Sequence, residues 1–299
     1  MLSDKKKLEV CAVILNWNRP DLTCKCIDSL LIQEQVVVKP VIVDNGSTDQ
    51  SIRILNEKYG SNVKIIPLPR NYGFATGVNF GIRYALDQKY EYILVINNDA
   101  FLETGSLWRM MEVLNDCIGV VAPVIYEYPD TQKIWSTGGY INSLVLEPLD
   151  AHHRSEDVYN NQILKRTFLS GCILLFTRSL LLRVGLFDER FFMYYEDLDL
   201  CYRILKSDYQ MAVCKLARGY HWLSASSGGK DNPFEKYHMG RSSGIYFRKH
   251  VRGLRWIPVL IFRIVSWCKM TFKLFFSGKF RSLLNFYRGL YDGWVKDIV

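Results

Sequence analysis

No uninterrupted apolar run in this chain approaches the roughly 20 residues that a spanning helix needs. The lysines near the N-terminus are followed by no apolar core, so no secretory leader is expected. Its eight cysteines (11, 24, 26, 117, 172, 201, 214 and 268) form no CxxC pair, and free buried thiols are expected instead of a metal or disulfide framework. No GxGxxG follows the first apolar run, which argues against a dinucleotide site. There is no internal repeat and no low-complexity stretch. Acid is scarce in one region only: from Lys230 onward fourteen Lys and Arg face four Asp and Glu, while the first 229 residues hold twenty-four against twenty-six. The net charge of +8 therefore belongs to the tail, and such a basic tail implies a surface interaction of its own.

What is present is a repeated pattern. With 299 residues, 49% of them hydrophobic, the chain can bury one large core or two small ones. Apolar runs at 8–16, 39–44, 62–67 and 91–97 read as buried strands, and the segments at 22–33, 50–59 and 76–88 have helical spacing. Such alternation predicts a parallel, doubly wound sheet. Each strand runs into polar residues: Asn16-Trp17-Asn18, then Asp44 through Asp49, then Asn71-Tyr72-Gly73, then Asn97-Asn98-Asp99. In open α/β sheets the ligand crevice lies outside those carboxyl ends. Beyond Asp99 a helix is expected at 102–117, and then a strand at 119–125 with Pro123 at an edge or bulge. Antiparallel strands are expected at 135–142 and 167–177, with a polar loop at 149–162 holding His152 and His153. Helices at 180–184 and 201–206, a short strand at 211–215 and a flexible loop from His221 complete this half.

Three clusters carry residue types suited to chemistry. Asp44 ends a strand and can accept from a base imide N–H, although Asp, Asn, Gly and Ser also suit a plain turn. Asp99 at the end of the fourth strand can hold a hard divalent cation, Mg²⁺ or Mn²⁺, and through it a diphosphate. In Tyr194-Tyr195-Glu196-Asp197-Leu198-Asp199 the acids suit a helix start, but Glu196 or Asp197 is also placed for general-base work. Asp199 reads as structural. His221 is either a packed residue or a further metal or phosphate contact, and His152 and His153 read as solvated.

The segments CAVILNWNRPDLTCKCIDSLL, VIVDNGSTDQS, NYGFATGVNFGI, YILVINNDAF, FLSGCILLFTRSLLLRVGLFDERFFMYYEDLDLCYRI and HWLSASS lie in order over about residues 8–228. Together they resemble the rhamnosyltransferase-type branch of family 2 glycosyltransferases. The resemblance implies a GT-A (Rossmann-like) α/β fold, with a mixed, mainly parallel sheet flanked by helices. It also implies a dTDP- or UDP-sugar donor, a divalent metal, and inversion at the anomeric carbon by single displacement. By position Asp44 resembles the base-binding aspartate, and Asn16 and Asn18 line the same pocket. Asn71, Gly73 and Asn79 shape the donor site, with Asn97 and Asn98 as neutral contacts to ribose or phosphate. Asp99 matches the last acid of the DXD-like motif, Asp197 the base of the ED motif beside Glu196, and His221 the late histidine near the metal. The departure is Asn97, which replaces the first acid and leaves one carboxylate.

The division expected is a catalytic domain over 1–229, with a nucleotide-binding half at 1–100 and an acceptor half at 101–229, and a helical tail over 230–299. In the tail Arg255, Arg263, Lys269 and Lys273 fall within an arc of roughly 120° on a helical wheel. This predicts that 245–299 lies on the inner face of a membrane, cations toward anionic lipid and Trp256 and Trp267 at headgroup level. The acceptor expected is a surface or lipid-linked glycan, and the chain is expected to be cytoplasmic and peripheral, with no nucleic acid among its partners. A GT-A-like module that binds a nucleotide sugar without transferring it is the alternative. A nucleotidyltransferase is disfavoured because no glycine-rich, lysine-containing entry loop is found.

Overall fold

The computed structural model describes residues 8–150, 162–222 and 231–296. Strands β1 (Leu8–Asn16), β2 (Val36–Asp44), β3 (Lys64–Pro67) and β4 (Tyr92–Asn97) alternate with helices α1 (Pro20–Leu31), α2 (Ser51–Tyr59) and α3 (Phe74–Asp87). The strands are parallel in the order β3-β2-β1-β4. The Val- and Ile-rich runs of β1, β2 and β4 are buried on both faces, as a sheet sandwiched between helices requires, while β3 at the edge stays partly exposed. Register aligns the polar ends: Asn16 lies beside Asp44, Asp44 beside Pro67, and Leu15 beside Asn97.

The second half adds β5 (Ala100–Leu102), α4 (Ser106–Met111), β6 (Ile118–Tyr128), β7 (Ile134–Ser136), β8 (Gly139–Ile141), β9 (Pro148–Asp150), β10 (Ile163–Arg166) and β11 (Ile173–Thr177). Then come α5 (Arg178–Val184), α6 (Glu196–Leu205) and β12 (Gln210–Trp222). β11 lies antiparallel between β4 and β6, and β12 runs parallel to β6 with β10 beyond it. The result is the mixed, mostly parallel sheet flanked by helices that the sequence implied.

Two local expectations change and a third, for Pro123, is narrowed to one of its alternatives. The helix read at 102–117 shrinks to α4, because Ala100–Leu102 finds a strand partner in β12 far along the chain. Pro123 lies inside the sheet and not at an edge: the β6–β12 register breaks there, with Cys214 opposite Pro123 and Arg218 opposite Val124, so a bulge accommodates it. The short strand at 211–215 is a 13-residue strand that carries His221 in its ladder, not in a loop. His152, His153 and the loop after Trp222 lie outside the described residues.

The tail folds as α7 (Pro233–His250), α8 (Trp256–Phe276) and α9 (Phe280–Val295). α7 and α9 cross on Gly240, Gly244, Gly289 and Gly293, where a Cβ on Gly289 would stand 2.0 Å from the Tyr237 carbonyl oxygen. α7 is fastened to the body: Arg241 donates to the Arg190 carbonyl (2.9 Å), Ser242 to that of Met193 (2.8 Å), and Lys249 to Asp188 and Asp199 (2.6 Å each).

Three of the four arc cations turn toward the rest of the fold, against the sequence reading, and only Lys269 stays exposed. Arg263 is buried against Glu147, Lys273 pairs with Asp231 at 2.7 Å, and Arg255 reaches the Tyr202 hydroxyl at 3.3 Å. Trp256 packs on Trp294, with ring centroids 5.2 Å apart, and Trp267 is half-buried. Carboxylates of the body draw the cations inward, and Ile257, Ile261, Ile264, Phe272 and Phe276 are left facing solvent. Among the described residues no helix is long and apolar enough to cross a membrane.

Replacing Gly289 by Ala should destabilise the protein by about 1–3 kcal/mol through overpacking, which outweighs the roughly 1 kcal/mol gained in helix propensity. A lower Tm in thermal unfolding is the expected readout, and an unchanged or higher Tm would contradict the close crossing.

Candidate active site

The aligned strand ends form one hydrogen-bonded chain. Asp44, 1% exposed, accepts at Oδ2 from Asn16 Nδ2 (2.7 Å) and Ser47 Oγ (2.6 Å), and at Oδ1 from the Ser47 N–H (2.9 Å). Asn16 Oδ1 accepts from Thr23 Oγ1 at 2.6 Å, and that hydroxyl accepts from Asn98 Nδ2 at 3.1 Å. At the other end Ser47 Oγ accepts from the Asn18 N–H at 2.9 Å, and Asn18 Oδ1 from the Thr48 N–H at 2.7 Å. Asn98, Asn16, Asp44 and Asn18 are thus brought together, with Thr23 and Ser47 as the links between them. Sequence reasoning missed both links. Ser47 lies in a stretch whose residues equally suit a plain turn, and the helix that follows takes its side-chain acceptor from Asp49, which accepts from the Ser51 N–H (2.9 Å). The available signal for Thr23 was a hydroxyl in the apolar row it shares with Ile27 and Leu30.

A second loop closes on this chain. Asn45 Nδ2 donates to Asn71 Oδ1 (3.0 Å) and to the Gly73 carbonyl (3.1 Å), and Asn71 Oδ1 also accepts from the Gly73 N–H (2.8 Å). Gly73 has φ +84°, and a Cβ there would stand 2.3 Å from the Phe192 carbonyl oxygen, so only glycine suits the position. The same carbonyl accepts from the Phe74 N–H at 2.6 Å. Asn79 is not brought to the strand ends. Its amide clamps the loop at Phe187, donating to the carbonyl (2.8 Å) and accepting from the N–H (3.2 Å), one helical turn further from the crevice.

At the end of β4, the antiparallel pairing of β5 with β12 sets Ala100 opposite His221, and the Asp99 carbonyl accepts from the Trp222 N–H at 2.8 Å. His221 Nε2 consequently lies 3.3 Å from Asp99 Oδ1, with the Trp135 ring edge-on to the imidazole at 4.6 Å. Asn97 Oδ1 and His221 Nδ1 are buried with no hydrogen-bond partner among the described residues. Also among the described residues, no three His, Cys, Asp or Glu side chains form a metal-holding group. Burial raises the thiols of Cys26 and Cys172, and the charge of Asp99 raises them further, so both remain protonated neighbours of this carboxylate.

The acidic pair at the start of α6 is reached through β11. The Asn97 N–H donates to the Cys172 carbonyl (2.9 Å), and the Gly171 N–H donates to Asp197 Oδ2 (3.1 Å), so one dipeptide joins the end of β4 to Asp197. Asp197 Oδ1 also accepts from the Leu198 N–H at 2.8 Å. Both residues are half-buried, and desolvation raises both carboxyls. For Glu196 burial and then the charge of Asp197 push it up to about 8, whereas the backbone donors at Gly171 and Leu198 oppose the rise at Asp197. Of the two, Glu196 is the better proton holder and Asp197 the better place for the charge. Asp199 has a different environment: buried, it is held low by His250, Arg203 and Lys249, a structural ion cluster as its sequence position implied.

The mixed, mostly parallel curled sheet flanked by helices is a GT-A-like fold. Residues 11–185 match Glycosyl transferase family 2, and the chain belongs to that family. It is 28% identical over 222 residues to the N-acetylglucosaminyl-diphospho-decaprenol L-rhamnosyltransferase of Mycobacterium tuberculosis, a match covering 67% of this chain and 71% of the relative. Among solved structures it is similar to the mannosyltransferase PcManGT from Pyrobaculum calidifontis in complex with GDP-Man and Mn²⁺ (TM-score 0.59, 13% identity, 98% of this chain and 77% of the other). It is also similar in fold to GalNAc-T7 with UDP, GalNAc and Mn²⁺ (TM-score 0.63, 12% identity), covering 81% of this chain but only 48% of that one.

Replacing Thr23 by Val keeps the shape but leaves Asn16 Oδ1 buried without its donor, a loss of about 1–3 kcal/mol. Thermal unfolding should register that loss, and calorimetry should show weaker binding of UDP or dTDP. Unchanged values in both would remove Thr23 from the network.

Proposed function

We propose that the protein is an inverting glycosyltransferase that moves a sugar, L-rhamnose being the leading candidate, from a dTDP or UDP donor to a lipid-linked or surface glycan. The observation that supports this best is the Gly171–Cys172 bridge, which joins the end of β4 to the charged member of the acid pair. The similarity to a rhamnosyltransferase whose name specifies a decaprenol-linked acceptor supports the substrate class.

In this reading Asn16, Asn18, Asp44, Asn71, Gly73, Asn97 and Asn98 form the donor pocket. Asp44 retains one lone-pair direction for a base imide N–H beyond the donors it already accepts. Asp197 takes the proton of the acceptor hydroxyl as that oxygen attacks the anomeric carbon, and the bond to the diphosphate breaks on the opposite face. Protonated Glu196 keeps a second negative charge away from the incoming nucleophile. The donor set suits a divalent cation: Asp99 and His221 are adjacent, Asn97 Oδ1 and His221 Nδ1 are buried acceptor-type atoms without partners among the described residues, and substrate phosphates commonly complete such a site. When bound, the cation would offset the charge of the departing diphosphate.

The tail, over 245–299, is proposed to seat the enzyme on the inner face of a membrane. The support is the outward apolar face of α8 together with the exposed cations Arg252, Lys269, Arg281 and Arg288, which suit anionic headgroups around a shallowly buried helix.

Two tests follow from this reading. Asp197→Asn should abolish turnover while leaving donor binding intact by calorimetry, with Glu196→Gln far milder. Because burial raises Asp197, kcat/KM should fall with acidification along a limb above the ordinary carboxylate value of roughly 4. Turnover by Asp197→Asn would remove it from the role. For the tail, Ile261→Glu combined with Phe276→Glu should lose co-sedimentation with phosphatidylglycerol vesicles. Equal partitioning, or a dimer that these changes split, would sink the membrane claim.

A further inference from the structure

The turn that delivers the acid pair is strained. Tyr194 and Tyr195 are consecutive bulky residues with φ of +67° and +66°, a region that side chains other than glycine rarely occupy. Such a conformation persists only where its surroundings impose it. Tyr195 is the residue before Glu196, and its carbonyl accepts from the Asp199 N–H at 2.8 Å, so its geometry sets the direction in which α6 starts.

Two groups grip the Tyr195 hydroxyl. It donates to Glu147 Oε1 at 3.0 Å, and Arg263 Nη1 lies 3.4 Å away while making a 2.5 Å ion pair with the same carboxylate oxygen. Arg263 is itself immobilised, its guanidinium over the rings of Phe247 (4.9 Å) and Trp267 (5.8 Å). The Tyr195 ring is packed by Tyr246 (5.5 Å) and Phe247 (6.3 Å) of α7. Glu147 comes from the β8–β9 connection and Arg263 from α8, so three remote segments converge on one phenol.

We propose that Arg263 and Glu147 are positioning residues, which hold Tyr195 in its left-handed form and so aim the Glu196–Asp197 pair at the end of β4. This rests on the assignment of Asp197 as the base. It also makes α8, the helix with the outward apolar face, a structural support of the reacting carboxylate. Loss of the link frees the turn to relax; the donor pocket, built from β1, β2 and β4, does not contain it.

The test uses the full chain with Tyr195→Phe, which removes only the hydroxyl, Arg263→Met, Arg263→Lys and the Tyr195→Phe/Arg263→Met pair. Folded fraction is measured by thermal unfolding and donor affinity by calorimetry. The expected result is kcat lower by about ten- to hundredfold from misplacement of the base, with donor Kd within twofold of wild type. Arg263→Lys should recover part of the loss, and the double variant should lose no more than the worse single one, as groups acting in one unit do. A purely packing role would lower Tm while leaving kcat per folded molecule within twofold, and that result, or additive losses, would overturn the proposal. The base assignment fails separately, by turnover in Asp197→Asn.

Discussion

A single short strand laid the wrong way round is the constraint on which the site depends. β11 runs antiparallel to β4, so its leading residues arrive at the crevice where β4 ends. Backbone groups of Gly171 and Cys172 then meet Asn97 on one side and Asp197 on the other. The bond at Asn97 is main chain on both sides and so belongs to the ladder itself, whereas the bond at Asp197 needs that residue's own carboxylate. Gly171 has a further reason to stay small, since a Cβ there would come 3.3 Å from that of Asp197.

The first hundred residues were largely legible because local signals and tertiary outcome agree. The runs ending at Asn16, Asp44 and Asn97 are too apolar for anything but a doubly covered strand, and β1 has the bounds that pattern implied. Legibility fell where pairing partners are distant. Ala100–Leu102 reads as the start of a helix until β12 is known, and His221 reads as a loop residue for the same reason. Asn79 shares a motif with Gly73 but not its surroundings, since one helical turn moves its amide onto Phe187. Between Glu196 and Asp197 the residue types alone offered no choice and only the family resemblance pointed to Asp197; unequal backbone donation now separates their environments.

The tail illustrates a different limit. A helical wheel separates the cations of α8 from its apolar residues but does not say which side is inward. That is decided by Glu147 and Asp231, buried acids elsewhere in the fold: Glu147 takes Arg263 as its ion-pair partner, and Asp231 is shared by Lys236 and Lys273. Burial works against the charge on Asp231, yet Lys236 and Lys273 outweigh it and hold the group at about 2. Charge on this helix thus serves attachment to the body, and its greasy side is what remains.

The glycine crossing of α7 and α9 has a consequence for the order in which the molecule can be completed. α9 holds α7, α7 holds the loop from Asp188 to Met193, and that loop carries the carbonyl against which Gly73 rests. A nascent chain with only its first two hundred residues outside the ribosome has the strand ends but not these fastenings. The crevice is finished last, by a helix near residue 290, after the apolar face of α8 has already emerged.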